Sequence, residues 1–184
     1  MSLLRLKPGE ARNLSSDLRE SNAKHLRCRR GVIGLSMIGG ASLAFIGLYQ
    51  MGIIKHLPDP PVPYMDADRV DASPEAYERF SMPDAILGVA SYAATMALAA
   101  MGRPDRAKTQ SWMPLTLALK TAYDAYNAGR LTVDQWTKHR AFCFWCLIAA
   151  GATFATVPLV IPETRDALRN LRLGKTSQRL RKAA

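Results

Sequence analysis

Cysteine, histidine and aromatic residues are scarce in this chain. It has three cysteines and three histidines in 184 residues, and its aromatic content is 8%. No second Cys/His cluster accompanies its one cysteine pair, so no metal site is expected. Internal repeats and glycine-rich nucleotide loops are absent as well, which removes the common phosphate-binding architectures. Acidic residues are outnumbered, 15 against 25 Lys and Arg, for a net charge of +10. The excess sits in the two tails, where it can bind anionic lipid headgroups and fix orientation. No motif ties that charge to nucleic acid, and none is expected as a partner.

What the chain does have is apolar residues gathered into blocks. Mean hydropathy is only −0.07. Yet residues 32–54 contain no charge, and neither do 85–101 or 141–161. A membrane span needs about 20 predominantly apolar residues, which the first and third blocks supply and the second approaches. A fourth block, 112–126, is interrupted by Lys120 and Asp124. These lie four apart, share a helix face and can pair. The first block starts only at Val32, is too long for a signal-peptide core and has no small-residue cleavage site after it, so it reads as a retained anchor.

Charge placement selects a four-span arrangement. The segment before Gly31, the connection 102–111 and the tail after Ile161 carry 18 Lys and Arg, and the two remaining loops carry six. The positive-inside rule then places both termini in the cytoplasm. The expected class is all-α: an integral-membrane four-helix bundle with spans at 32–54, 85–101, 112–126 and 141–161. A basic N-terminal segment, 1–31, and a basic tail, 162–184, flank it. Within the tail, 166–180 suits a helix lying on the cytoplasmic surface. Pro158 is expected to kink the fourth span.

The chemistry-bearing feature is Cys143-Phe144-Trp145-Cys146, a C-x-x-C pair opening the last apolar run. Two thiols three positions apart on a helical turn can form a disulfide, and a helix N-terminus stabilises a thiolate. A redox pair, a structural disulfide and two buried thiols at a packing seam all fit that spacing. In the four-span topology the pair faces the oxidising side of a bacterial cell, where a disulfide persists. Cys28 falls at the opposite face and reads as a free structural cysteine. His56 and His139 fall on the same side as the pair, where a proton-relay role competes with an interfacial one.

The loop 55–84 opens with four prolines in six residues, which favours extended backbone. Ser73-Pro74-Glu75 reads as a helix N-cap with proline at the first helical position. With seven Asp and Glu against three Lys and Arg, the loop is either a solvated cover over the bundle or a docking surface.

These residues resemble the vitamin K epoxide reductase family of membrane thiol–disulfide oxidoreductases, from about Val32 to Ala167. The C-x-x-C at the start of the fourth helix carries the likeness. Asp68-Arg69-Val70-Asp71-Ala72-Ser73 is similar to the family's loop segment. Phe80-Ser81-Met82-Pro83, Leu87-Gly88 and Tyr92 are similar to its entry into the second helix. The resemblance implies electron transfer between protein thiols and a quinone (ubiquinone or menaquinone) in a bacterial inner membrane. Cys146 would add to the quinone ring. Cys143 would resolve the adduct and exchange with a periplasmic thioredoxin-like thiol protein, being nearer to water. Ser73 and Tyr92, with Trp145, would contact the quinone.

The chain departs from the family in two places. The pair of loop cysteines that relays electrons in typical members is missing, with Ala67 where the second would stand, and Ala150 replaces a tyrosine common in animal members. Two expectations therefore stand side by side. One is a quinone-linked oxidoreductase that works without the relay. The other is a non-catalytic accessory subunit of a larger membrane complex.

Overall fold

The computed structural model describes residues 8–78 and 80–183, with 174–183 described by their backbone alone. Among the described residues, seven α-helices follow one another: α1 (Pro8–Glu20), α2 (Lys24–Gln50), α3 (Ala67–Asp71), α4 (Asp84–Ala100), α5 (Arg106–Thr109), α6 (Trp112–Asp134) and α7 (Phe144–Ala183). A 3₁₀ turn at Pro74–Tyr77 and a π-helical turn at Gln135–His139 complete the order. Among the described residues there is no strand, only a parallel bridge between Met65 and Phe142. The all-α expectation holds.

Helices α2 and α7 are long and apolar enough to cross a membrane, and α4 is a shorter apolar helix. Ala, Leu and Met, all good helix formers, supply most of α4. Its first turn carries Asp84, whose negative charge suits a helix N-terminus. Helix α6 is less apolar because Lys120, Asp124, Arg130 and Asp134 lie along it.

The long helices pack α2 on α4 and α7, and α6 on α7 and α4. Glycine sets the closest approach. A Cβ at Gly39 would occupy the space taken by the Tyr92 ring, and one at Gly88 would meet Leu43. Helix α2 closes at Gly52, whose φ of +73° suits glycine and lets the Ile53 N–H reach back to the Leu48 carbonyl at 2.9 Å.

Helix boundaries differ from the expected spans. Helix α2 begins at Lys24, so Arg27, Arg29 and Arg30 are helical, and it ends at Gln50, leaving Ile53 and Ile54 in the turn. Helix α6 runs eight residues past Tyr126. The stretch 166–180, expected as a separate surface helix, is a continuation of α7, with Pro158 and Pro162 inside the same helix. Side-chain contacts hold that extension in place. Glu163 pairs with Arg106, Asp166 with His25, and the Asn170 amide donates to the Ala107 carbonyl.

Two apolar clusters mark the ends of the packed helices. At the thiol end, Ile46, Leu57, Ala67, Val70, Ala85, Ala141 and Cys143 are buried together. At the other end, Val32, Ala99, Leu117 and Val160 form a second cluster.

Candidate functional site

The C-x-x-C pair is built by the entry into α7. Cys143 takes the capping position: its carbonyl accepts from the Leu147 N–H at 3.0 Å, and its Sγ accepts from the Cys146 N–H at 3.1 Å. One of the helix's unsatisfied N–H groups is thereby met by sulfur. The Cys143 N–H donates to Gln135 Oε1 at 3.0 Å. The π-helical turn after α6 therefore holds the pair from beneath.

The loop 55–71 holds it from above. The Phe142 N–H donates to the Tyr64 carbonyl at 2.7 Å, and the Asp66 N–H donates to the Phe142 carbonyl at 3.0 Å. Trp136 stacks on Phe142 and meets Tyr64 edge-on, with the Arg140 guanidinium over its ring. The loop's acids mostly bind the loop itself. Asp59 accepts from the Ala67 N–H, Asp66 from the Arg69 N–H, and Asp68 from the Leu57 N–H and His56. Of the two readings of this acidic loop, these bonds account for the cover: Asp59, Asp66 and Asp68 fold the loop itself.

That cover places α3, and α3 places Asp71 against the thiols. Asp71 is 5% exposed. Its Oδ1 accepts from Cys146 Sγ at 3.5 Å, and its Oδ2 is buried with no partner. One Asp71 carboxylate oxygen and the sulfurs of Cys143 and Cys146 all lie within 4.8 Å of one another. Burial pushes the Asp71 carboxyl up to about 6. Hydrogen bonds from Cys143 and Cys146 oppose that rise, and the negative charges of Asp84 and Asp59 add to it. Gln50, at the end of α2, ties the neighbourhood together. Its Nε2 donates to the Asp71 carbonyl and to Asp84 Oδ1, and its Oε1 accepts from the Ala85 N–H.

Beside the pair lies a half-open cavity of about 450 Å³, which Cys146, Tyr92, Asp84, Gln135, Asp124 and Thr153 help to line. The Tyr92 hydroxyl donates to the Ala149 carbonyl at 2.6 Å and lies 2.7 Å from Thr153 Oγ1. Ala150 also faces the cavity. Farther in, Lys120 pairs with Asp124 as the spacing predicts, and the pair also bonds Ser91 and Thr95.

The sequence-predicted site residues separate into two groups. Cys146 and Tyr92 line the cavity. Trp145 does not: its indole donates to the Pro58 carbonyl at 3.0 Å, and its ring packs on Phe45. Ser73 flanks the 3₁₀ turn without a side-chain cap bond and lies outside the cavity lining. Cys143 was expected nearer to water, but it is fully buried, while Cys146 is half-buried. The reversal comes from α3 and the Met65–Phe142 bridge, which cover the start of α7. His56 is held by Asp68, and neither it nor His139 lines the cavity. Cys28 is 22 residues from Gln50 on the same helix, roughly 33 Å away.

Sequence reasoning missed Asp71, Gln50 and Gln135 as site residues. Asp71 had been read only as part of a loop segment. A polar residue inside an otherwise apolar helix end, as Gln50 is, was the available signal.

The sequence model of the vitamin K epoxide reductase family matches residues 31–161. No curated protein and no solved structure matches the chain. The family match covers most of the chain and includes α2, α4, α6, the C-x-x-C and the apolar part of α7. By that match, the chain belongs to the vitamin K epoxide reductase family of membrane thiol–disulfide oxidoreductases.

Proposed function

We propose that this protein is a quinone-linked thiol–disulfide oxidoreductase of a bacterial inner membrane, working through Cys143 and Cys146 without the loop relay. The observation that carries this reading is that Cys146 belongs to both halves of the site. Its N–H bonds Cys143 Sγ, and its side chain faces a cavity of about 450 Å³. That volume falls within the range of small-molecule sites, roughly 300–1,000 Å³. Ubiquinone or menaquinone is the proposed occupant, with the hydroxyls of Tyr92 and Thr153 at the cavity wall.

The reaction balances within these groups. Two thiols give two electrons and two protons to the quinone, forming the Cys143–Cys146 disulfide and a quinol. A periplasmic thioredoxin-like protein then reduces that disulfide and is itself oxidised. Cys146 adds to the ring because it faces the cavity. Cys143 resolves the adduct and reaches the thiol partner after the loop over it opens.

A four-span bundle of α2, α4, α6 and α7, with both termini cytoplasmic, fits this chemistry. It is supported by the basic bias of one set of connections and by the distribution of polarity. Ile38, Leu119 and Phe154 are exposed, whereas Ser36, Ser42, Thr95, Thr121 and Thr156 are buried. Apolar outside and polar inside suits a helix bundle in lipid.

The test is quinone-dependent oxidation of the reduced protein in detergent, followed by thiol alkylation and gel shift. Wild type is expected to lose both thiols to the quinone, and Cys146→Ser none through the pair. Equal turnover by the two proteins would overturn the reading.

A further inference from the structure

We infer that Asp71 is the proton acceptor for the Cys143–Cys146 pair, a catalytic residue that takes each thiol proton as the disulfide forms. The inference rests on the oxidoreductase reading above and adds a group to it. Three observations carry it. Asp71 Oδ1 is hydrogen-bonded to Cys146 Sγ, and one of its oxygens lies within 4.8 Å of both sulfurs. The residue is buried, and its Oδ2 has no partner, leaving a lone pair open to a proton. Its position is fixed by backbone, because it ends α3 and its carbonyl is held by Gln50.

A buried carboxylate with an unsatisfied oxygen is costly unless something repays it. The titratable groups that face Asp71 are Cys143 at the cap of α7, Cys146 from α7, Asp84 from α4, Asp59 from the loop and Tyr49 from α2. All of them are acids. Burial raises the Asp71 carboxyl, the charges of Asp84 and Asp59 add to that, and the thiol hydrogen bonds only partly offset it. Asp71 is therefore a better base than an ordinary carboxylate, which suits a group that must accept a thiol proton near neutral pH.

The steps balance as follows. The Cys146 S–H bond breaks, its proton passes to Asp71, and the electron pair stays on sulfur, which bonds the quinone ring. Asp71 releases that proton to a quinone oxygen. The Cys143 S–H bond then breaks, its proton passes to the emptied carboxylate, and its sulfur attacks Cys146 Sγ. The S–S bond forms as the sulfur–ring bond breaks, the electron pair returns to the ring, and the second proton follows to the second oxygen. Two thiols are oxidised, one quinone is reduced, and Asp71 ends ionised as it began.

The experiment compares wild type with Asp71→Asn, both pre-reduced in detergent with a chelator present. A soluble benzoquinone is added and thiol loss is followed against pH. The wild-type rate is expected to fall as pH drops through about 6, where Asp71 protonates. Asp71→Asn is expected to be about 10²-fold slower at pH 7 and to lack that limb. An unchanged rate and profile would overturn the inference. Infrared difference spectra of wild type, dithiol against disulfide, give a readout that needs no quinone. Formation of the disulfide removes the two thiol hydrogen bonds, so the protonated carboxylic acid signal is expected to grow near pH 6.5 and to be missing in Asp71→Asn. If wild type shows no reaction with quinone but gives this signal, the quinone reading fails and the proton role stands. If the signal does not change, the proton role is lost whatever the oxidant.

Discussion

Each end of the packed helices buries a charged cluster, and the two are finished differently. At one end, Arg106 forms a two-pronged pair with Glu163, both contacts 2.8 Å, with side chains 0% and 4% exposed. The remaining Arg106 nitrogen caps the Leu98 and Met101 carbonyls at the end of α4. Arg29 extends the cap to the carbonyls of Ala99, Ala100, Met101, Gly102 and Arg103. The positive charges sit where the α4 dipole is negative. At the other end, Asp71 has one oxygen on a thiol and the other on nothing. A closed network of charge-assisted bonds holds helices in register. An open one leaves a group free to gain a proton, and the cysteines sit at the open end.

The sharpest way to break this comparison is to open the closed end. Glu163→Ala strands the Arg106 guanidinium in a dry site. Removing one partner of a buried pair costs about 3–5 kcal/mol, so the expected result is a large loss of resistance to heat and denaturant in detergent. Replacing both residues with apolar ones, Arg106→Met with Glu163→Leu, should recover most of it. A small loss in Glu163→Ala would mean that water reaches the pair.

The second prediction closes the open end. The Asp71 carboxyl lies at about 6 when folded, against an ordinary 3.8. A raised value means that folding favours the protonated form. That contribution is present below about pH 4 and is lost as pH rises through about 6. Asp71→Asn stays neutral, so it should be about 3 kcal/mol more stable than wild type at pH 8 and no different at pH 4. Unfolding measured at both pH values checks this. A variant less stable at pH 8 would make Asp71 a structural anchor like Glu163.

How much of this was legible in the sequence depended on whether the contact was local. The Cys143–Cys146 turn and the Lys120–Asp124 pair follow from spacing along one helix, and both appear at that spacing. Glycines at 39, 40, 47 and 52 suit close helix approach. Tyr92 lies over Gly39 and Gly40 and Ile86 over Gly47, whereas Gly52 has nothing near it and serves the end of α2 instead. The closed end is invisible in the sequence, where Arg29 and Arg106 count only as topology charges. Their burial depends on α4 ending between them, 70 residues from Arg29. Asp71 was invisible for the same reason. Its value comes from α2, α4 and α7 meeting over a five-residue helix. The burial of Cys143 follows from α3 and a backbone bridge between Met65 and Phe142, long-range contacts that leave no periodic trace.

The smallest effect concerns the cover over the pair. The Trp145 indole donates to the Pro58 carbonyl while its ring rests on Phe45 at 4.7 Å. Trp145→Phe keeps an aromatic ring there and removes only the donor. Pro58 can turn to water, so the loss should sit near about 1 kcal/mol. Cys143 is fully buried, so alkylation of its thiol requires the loop to open locally. An opening made easier by about 1 kcal/mol speeds that alkylation about fivefold. Peptide mapping by mass spectrometry after timed alkylation reads Cys143 and Cys146 separately. The expected change is confined to Cys143, because Cys146 already faces the cavity. If both thiols speed up together, the substitution has loosened the start of α7 itself. The loop would then not be the element that separates the buried thiol from a partner protein.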